Sequence, residues 1–179
     1  TIKHLNIKND NQGLDLFLSD NDSVDISQFP KEYIAFVIGG QHATKILPIQ
    51  KIISICKKIN KPILLIGGPD DIARAKKINN DAKNTFNTCG KYTVMQSAFL
   101  IKHSDYVITH DTGMMHIAAA FKKKIYSVWG NTVPQFGMYP YMTSSDSKII
   151  EVQDLGCRPC SKIGYDKCPK GHFKCMQEI

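Results

Sequence analysis

Four stretches of this sequence are almost wholly apolar, without the polar alternation of a half-exposed strand. They are Tyr33-Ile34-Ala35-Phe36-Val37-Ile38, Pro62-Ile63-Leu64-Leu65-Ile66, Tyr106-Val107-Ile108-Thr109 and Lys124-Ile125-Tyr126-Ser127-Val128-Trp129. The first, second and fourth stop at glycine: Gly39-Gly40, Gly67-Gly68 and Gly130. Runs of this kind suit strands buried on both faces, as in a parallel sheet. Helical patterns lie between them. Ile49, Ile52, Ile53, Cys56 and Ile59 recur at helical spacing, with Lys51, Lys57 and Lys58 on the other side. Ile72, Ala75 and Ile78 predict a second helix, and Val94, Ala98 and Ile101 a third. Met114 to Phe121 predicts a fourth, apolar nearly all round. Strand and helix alternating at this spacing predict right-handed βαβ units and an α/β, Rossmann-like, doubly wound parallel sheet.

That pattern occupies residues 33–152. Residues 1–32 are polar and read as a connector, with room for a short strand; Leu14, Phe17 and Leu18 are its apolar anchors. Residues 153–179 form a Cys-rich tail. With 179 residues the chain has room for one domain and an appendage. Its 42% hydrophobic and 22% charged content excludes a disordered or collagen-like chain. No apolar run approaches the ~18 residues of a membrane-spanning helix. The chain starts at Thr1-Ile2-Lys3-His4 without Met, which predicts a processed chain or a piece of a longer one. A net charge of +7 favours an anionic partner: a phosphate ligand, nucleic acid or an acidic membrane face. The lysine clusters, such as Lys122-Lys123-Lys124, fall where a helix meets solvent. There is no arginine-rich stripe with interleaved aromatics, so no nucleic-acid partner is expected.

In such sheets ligands sit at the carboxyl ends of strands, beside helix N-termini. Three loops meet that rule: Gly39–Lys45, Gly67–Asp71 and His110–Gly113. The third is the sharpest. A buried strand ends at Thr109 and a helix starts near Thr112, so first-turn amides and the helix dipole make an anion site. Gly113 lets a ligand approach the backbone. Read alone, the same residues also fit an ordinary helix cap, with Asp111 or Thr112 at the N-cap and His116 in the core. No Gly-x-Gly-x-x-Gly opens a helix after any strand, which disfavours a dinucleotide-dependent dehydrogenase.

The strand followed by Asp111-Thr112-Gly113-Met114-Met115-His116 and then Ile117-Ala118-Ala119-Ala120 resembles the nucleotide-sugar-binding segment of the ADP-heptose:lipopolysaccharide heptosyltransferases. These are inverting glycosyltransferases with the two-domain GT-B fold. Gly39-Gly40-Gln41-His42-Ala43-Thr44-Lys45-Ile46-Leu47-Pro48 is similar to the glycine-rich turn that opens the family's second domain, with Leu47 where a Trp is common. Gly67-Gly68-Pro69-Asp70-Asp71, Val128-Trp129-Gly130-Asn131-Thr132-Val133-Pro134 and the Cys-rich end complete the likeness, from about Tyr33 to Ile179.

The resemblance implies a role for each residue. Lys45 would contact the donor's phosphates and balance the charge growing on the departing nucleoside diphosphate. Gly39, Gly40, Gln41 and Gly68 would bring backbone close to the donor. Asp70 or Asp71 would hold the ribose or base side. Asp111 would accept hydrogen bonds from heptose hydroxyls, the amides of Thr112 and Gly113 would hold the diphosphate, and His116 would support that loop or touch the phosphates. No cofactor would be required beyond the ADP-heptose donor. A lysine and a helix N-terminus supply the aimed positive charge that a leaving diphosphate needs. The acceptor would be the lipopolysaccharide inner core, met at the cytoplasmic face of the inner membrane. The general base that takes the acceptor's proton would come from an N-terminal domain absent from this chain. The chain would then be the donor-binding half, unable to transfer by itself, its tail folding back toward the other domain. A UDP- or GDP-sugar donor remains an alternative.

Of the six cysteines, Cys56 and Cys89 read as inert core residues. Cys157, Cys160, Cys168 and Cys175, with His172 between the last two, carry a Cys-x2-Cys pair and so could hold zinc. They could equally form two disulfides or stay as packed thiols; the cytoplasmic location implied above disfavours disulfides. Zinc would open a reading of another class, an interaction module on a degenerate Rossmann-like domain.

Overall fold

The computed structural model describes residues 3–179; Thr1 and Ile2 of the expected connector lie outside the described residues. Six strands form in chain order: β1 (Ile34–Val37), β2 (Ile63–Ile66), β3 (Thr85–Asn87), β4 (Val107–His110), β5 (Ile125–Trp129) and β6 (Lys148–Glu151). Five helices accompany them: α1 (Ile49–Lys58), α2 (Ile72–Asp81), α3 (Val94–His103), α4 (Gly113–Ala120) and α5 (Lys174–Gln177). The sheet order is β3-β2-β1-β4-β5-β6, and every neighbouring pair is parallel.

The four apolar runs are the four central strands. β1 makes the reason visible. Ile34, Phe36 and Ile38 pack into one apolar cluster, and Tyr33, Ala35 and Val37 into another. The first cluster is closed by Ile52 and Cys56 of α1 and Ile78 of α2. The second is closed by Leu100 of α3 and by Met115 and Ala118 of α4. Helices therefore cover both faces, and the sheet is doubly wound. Burying one such aliphatic side chain contributes about 1.5–3 kcal/mol, so the two faces carry most of the hydrophobic stabilisation. α3 starts on a reciprocal cap, in which Thr93 Oγ1 accepts from the Gln96 amide at 3.2 Å and Gln96 Oε1 from the Thr93 amide at 3.0 Å.

β3 and β6, the two edges, are not visible in the apolar pattern. β3 has three residues, two of them polar, and β6 places Lys148 and Ile149 in solvent. The connector also departs from expectation. Residues 3–32 hold three short 3-10 turns and no strand. Phe17 is 84% exposed, and the segment is anchored instead by Val24, Ile26 and Phe29 against the α3–α4 face.

The tail packs on its own sheet. α5 places Cys175 and Met176 in the core of the α1–α2 face. The Arg158 guanidinium donates to the carbonyls of Gly130, Val152 and Thr132 and pairs with Glu151 at 2.8 Å. Within this chain the tail thus contacts β5, β6 and their following loops, and Lys51 of α1 donates to the Ile179 carbonyl at 2.7 Å.

Candidate functional site

The sheet order reverses direction between β1 and β4, and a crevice opens at their carboxyl ends, where such folds take ligands. A cavity of about 560 Å³ lies there, walled by the ends of β1 and β2, the start of α3 and the first turn of α4. Its size falls within the range of small-molecule sites. A second cavity of about 250 Å³ adjoins it, lined by Lys45, Asp111, His116 and the tail residue Ile163. The two share Gln41, Thr112 and Gly113.

The loop after β1 turns through a 3-10 segment, Ala43–Lys45, before α1. The Lys45 ammonium, 13% exposed, lies 2.7 Å from Asp111 Oδ2. Asp111 is buried on the loop after β4, and the same oxygen accepts from Thr132 Oγ1 at 2.8 Å. Three of the four family-like loops therefore converge on one carboxylate. One residue earlier, His110 is fully buried, and its Nε2 accepts from the Leu47 amide at 3.0 Å. Burial pushes its pKa down to about 4; the Gly39 carbonyl partly offsets this, and the charge of Arg74 adds to it.

α4 opens at Thr112, whose side chain makes no cap bond. Among the described residues, no acceptor meets the amides of Gly113 and Met114. A Cβ on Gly113 would meet no protein atom within 4 Å, so its face toward the cavity is open. Free amides at a helix N-terminus can take an anion.

The second glycine loop holds Asp71 in a network of its own. Asp71 lines the large cavity, but its carboxylate is already engaged. Oδ2 accepts from the Gly68 amide at 3.0 Å, and Oδ1 pairs with Arg74 at 2.6 Å. Arg74 also donates to the Ile38 carbonyl at 3.2 Å, which ties α2 to the end of β1. The carboxylate is wedged between two glycines: a Cβ on Gly39 would fall 2.0 Å from Asp71 Oδ2, and one on Gly67 2.7 Å. Asp70 is exposed and lines neither cavity. Gly39, Gly40, Gln41 and Gly68 all line the large cavity, and His116 the small one.

Sequence reasoning missed several residues. Tyr92, Thr93 and Val94 wall the large cavity from the start of α3. Thr132 donates to the Asp111 carboxylate, and His110 accepts from the Leu47 amide. The tail clamps the Lys45 turn, where Thr44 Oγ1 accepts from the Tyr165 amide at 2.8 Å and its own amide donates to the Tyr165 carbonyl at 3.1 Å. Thr132 was quoted within a motif without a role, and the strand-end position of His110 was its only signal.

The tail thiols are free, as are Cys56 and Cys89, whose thiols burial pushes up to about 12. Cys157 Sγ lies 3.8 Å from His172 Nε2, but the Cys160 thiol donates to the Cys157 carbonyl at 3.0 Å. Cys175 is buried in the core, its thiol pushed up to about 11. Among the described residues, no three His, Cys, Asp or Glu side chains are set to hold a metal ion, so the zinc expectation finds no assembled ligand set. No helix there is long and apolar enough to cross a membrane.

The model of glycosyltransferase family 9 (heptosyltransferase) matches residues 6–169. Lipooligosaccharide heptosyltransferase 2 of Campylobacter jejuni subsp. jejuni serotype O:2 is 32% identical over 93 residues, covering 52% of this chain and 27% of that protein. The glycosyl transferase family 9 structure from Veillonella parvula DSM 2008 superposes with a TM-score of 0.74 at 19% identity, covering 86% of this chain and 47% of that one. E. coli ADP-heptose lps heptosyltransferase II superposes with a TM-score of 0.65 at 20% identity, over 82% of this chain and 50% of that one. The chain thus spans at most about half the length of these relatives.

Proposed function

This chain belongs to glycosyltransferase family 9, the heptosyltransferases, and on that premise we propose that it is the donor-binding part of an enzyme that moves heptose from ADP-heptose onto the inner core of lipopolysaccharide. The observation that carries the reading is the junction of the two cavities. There Gly113 lines both cavities, Met114 the larger and Lys45 the smaller, and the amides of Gly113 and Met114 meet no acceptor among the described residues. The larger, mainly apolar cavity would take the nucleoside, and the smaller one, beside the Lys45–Asp111 pair, the sugar.

In the reaction the acceptor hydroxyl attacks the anomeric carbon. The bond from that carbon to the diphosphate oxygen breaks, and its electron pair leaves with ADP. A base on a domain outside this chain takes the hydroxyl proton. Lys45 and the α4 amides meet the charge that grows on the leaving diphosphate, so they act more strongly in the transition state than on the donor. Asp111, held in orientation by Thr132, would release Lys45 toward the diphosphate and accept hydrogen bonds from the sugar hydroxyls. The +7 surplus suits an anionic donor and a phosphorylated glycolipid at the cytoplasmic face of the inner membrane.

Calorimetric titration of the chain with ADP, UDP and GDP tests this. The expected result is a preference for ADP at one site, weakened about 10- to 100-fold by Lys45→Met, the range of a charge-assisted hydrogen bond. A preference for UDP or GDP would keep the site and change the donor. Nucleotide binding indifferent to Lys45→Met would overturn the reading.

A further inference from the structure

We propose that His110 is a positioning residue: its neutral imidazole ties the loop that carries Lys45 to the loop that carries Asp111. The inference deepens the donor-site reading above and rests on it.

The geometry is a lock with two points. Lys45 and Leu47 lie two residues apart on the loop after β1. Asp111 and His110 are neighbours at the end of β4. Lys45 Nζ meets Asp111 at 2.7 Å, and the Leu47 amide donates to His110 Nε2 at 3.0 Å. Alongside the tail's clamp on Thr44, these two contacts fix the orientation of the Lys45 turn over the cavity from the β4 side. The surroundings leave the imidazole no other task. It is fully buried against the ring of Phe36, with no solvent contact, so it is no ligand contact and no general base.

The lock requires one protonation state. Nε2 accepts, so it carries no hydrogen, and Nδ1 carries the proton in the neutral ring. Nδ1 is buried without a hydrogen-bond acceptor, the Gly39 carbonyl lying near but outside full hydrogen-bonding geometry. A second proton would turn Nε2 into a donor facing another donor, and the Leu47 contact would be lost. Burial is the main resistance to that proton, and the charge of Arg74 on α2 adds to it. Arg74 is paired with Asp71, and Lys45 with Asp111 on the loop side, so among the described residues no unpaired carboxylate faces the ring to draw the proton in. The low pKa of the ring agrees with this arrangement.

The test uses ADP and two variants. His110→Gln keeps an acceptor near the position of Nε2 that does not titrate. His110→Leu removes the acceptor and leaves the Leu47 amide buried without a partner. ADP affinity is followed by calorimetry from pH 7.5 to 4.5, and the His110 tautomer by nitrogen NMR of the unliganded protein. At pH 7.5 the Gln variant should bind within about threefold of the original protein, and the Leu variant about tenfold more weakly, the effect of one buried unsatisfied donor. Because the ring takes its second proton only near pH 4, the original protein should keep its affinity down to about pH 5, on the same profile as the Gln variant; ADP's own ionisation is common to both. The ring should be neutral, with the proton on Nδ1. A folded Leu variant that binds as well as the original, an affinity that falls near pH 6.5 in the original but not in the Gln variant, or a proton on Nε2 would each overturn the proposal. Should the original protein bind no ADP, the donor-site reading fails and the tautomer alone decides the lock.

Discussion

At the residue scale, the site is governed by two buried neighbours with different partners. Asp111 pairs with Lys45, whereas His110 is neutral and accepts from backbone. The pKa of His110 is lowered from 6.5 to about 4. The unfolded chain therefore takes up the proton first as pH falls, and stability is lost between about pH 6.5 and pH 4, with no further loss from this group below that. The shift corresponds to roughly 3 kcal/mol. Urea unfolding across that window should show the slope, and His110→Gln, which shares every other titrating group, should lack it. Asp111 was legible in the sequence because its neighbours form a recognisable strand–Asp-Thr-Gly–helix segment. His110 was not, because a histidine at the end of a buried strand has no periodicity to mark it, and its partner is a backbone amide 63 residues away.

At the scale of elements, the central strands and the helices α1 to α4 were readable because double-sided burial writes a continuous apolar run and single-sided burial writes a stripe. β3 and β6 were not, because each is a short edge strand with polar residues. The loops were readable as ligand loops but not in their internal arrangement. Gly67-Gly68-Pro69-Asp70-Asp71 resembles a ribose-binding loop, yet the Asp71 carboxylate is spent on the Gly68 amide and on Arg74. Its placement explains why Gly39 is glycine. In Gly39→Ala the new Cβ would lie 2.0 Å from Asp71 Oδ2, so the carboxylate must leave its position. The expected cost is about 1–3 kcal/mol, read as a lowered melting temperature, with weaker nucleotide binding because both cavity loops shift. Gly68→Ala is the control. Its Cβ meets nothing within 4 Å, so stability should hold, and any effect should appear in affinity alone.

At the scale of the whole molecule, the sheet places three loops at its switch point, and the tail secures them from outside. Tyr165 holds Thr44, Arg158 holds the carbonyls of Gly130 and Thr132, and Met176 fills the space beneath Gly130, where a Cβ would fall 2.7 Å from Met176 Cε. That arrangement was beyond the sequence, because the tail's spaced cysteines drew attention to metal chemistry while its hydrogen bonds run mainly through backbone. The central claim is that the crevice between β1 and β4 binds a nucleoside diphosphate. Amide NMR of the labelled chain during titration with ADP tests it most directly. The account predicts saturable shifts at Gly39 to Gln41, Gly68 and Thr112 to Met114, together with the Lys45 side chain, at a stoichiometry of one. Shifts confined to residues outside the crevice, or no shift at those amides at saturating ADP, would contradict it.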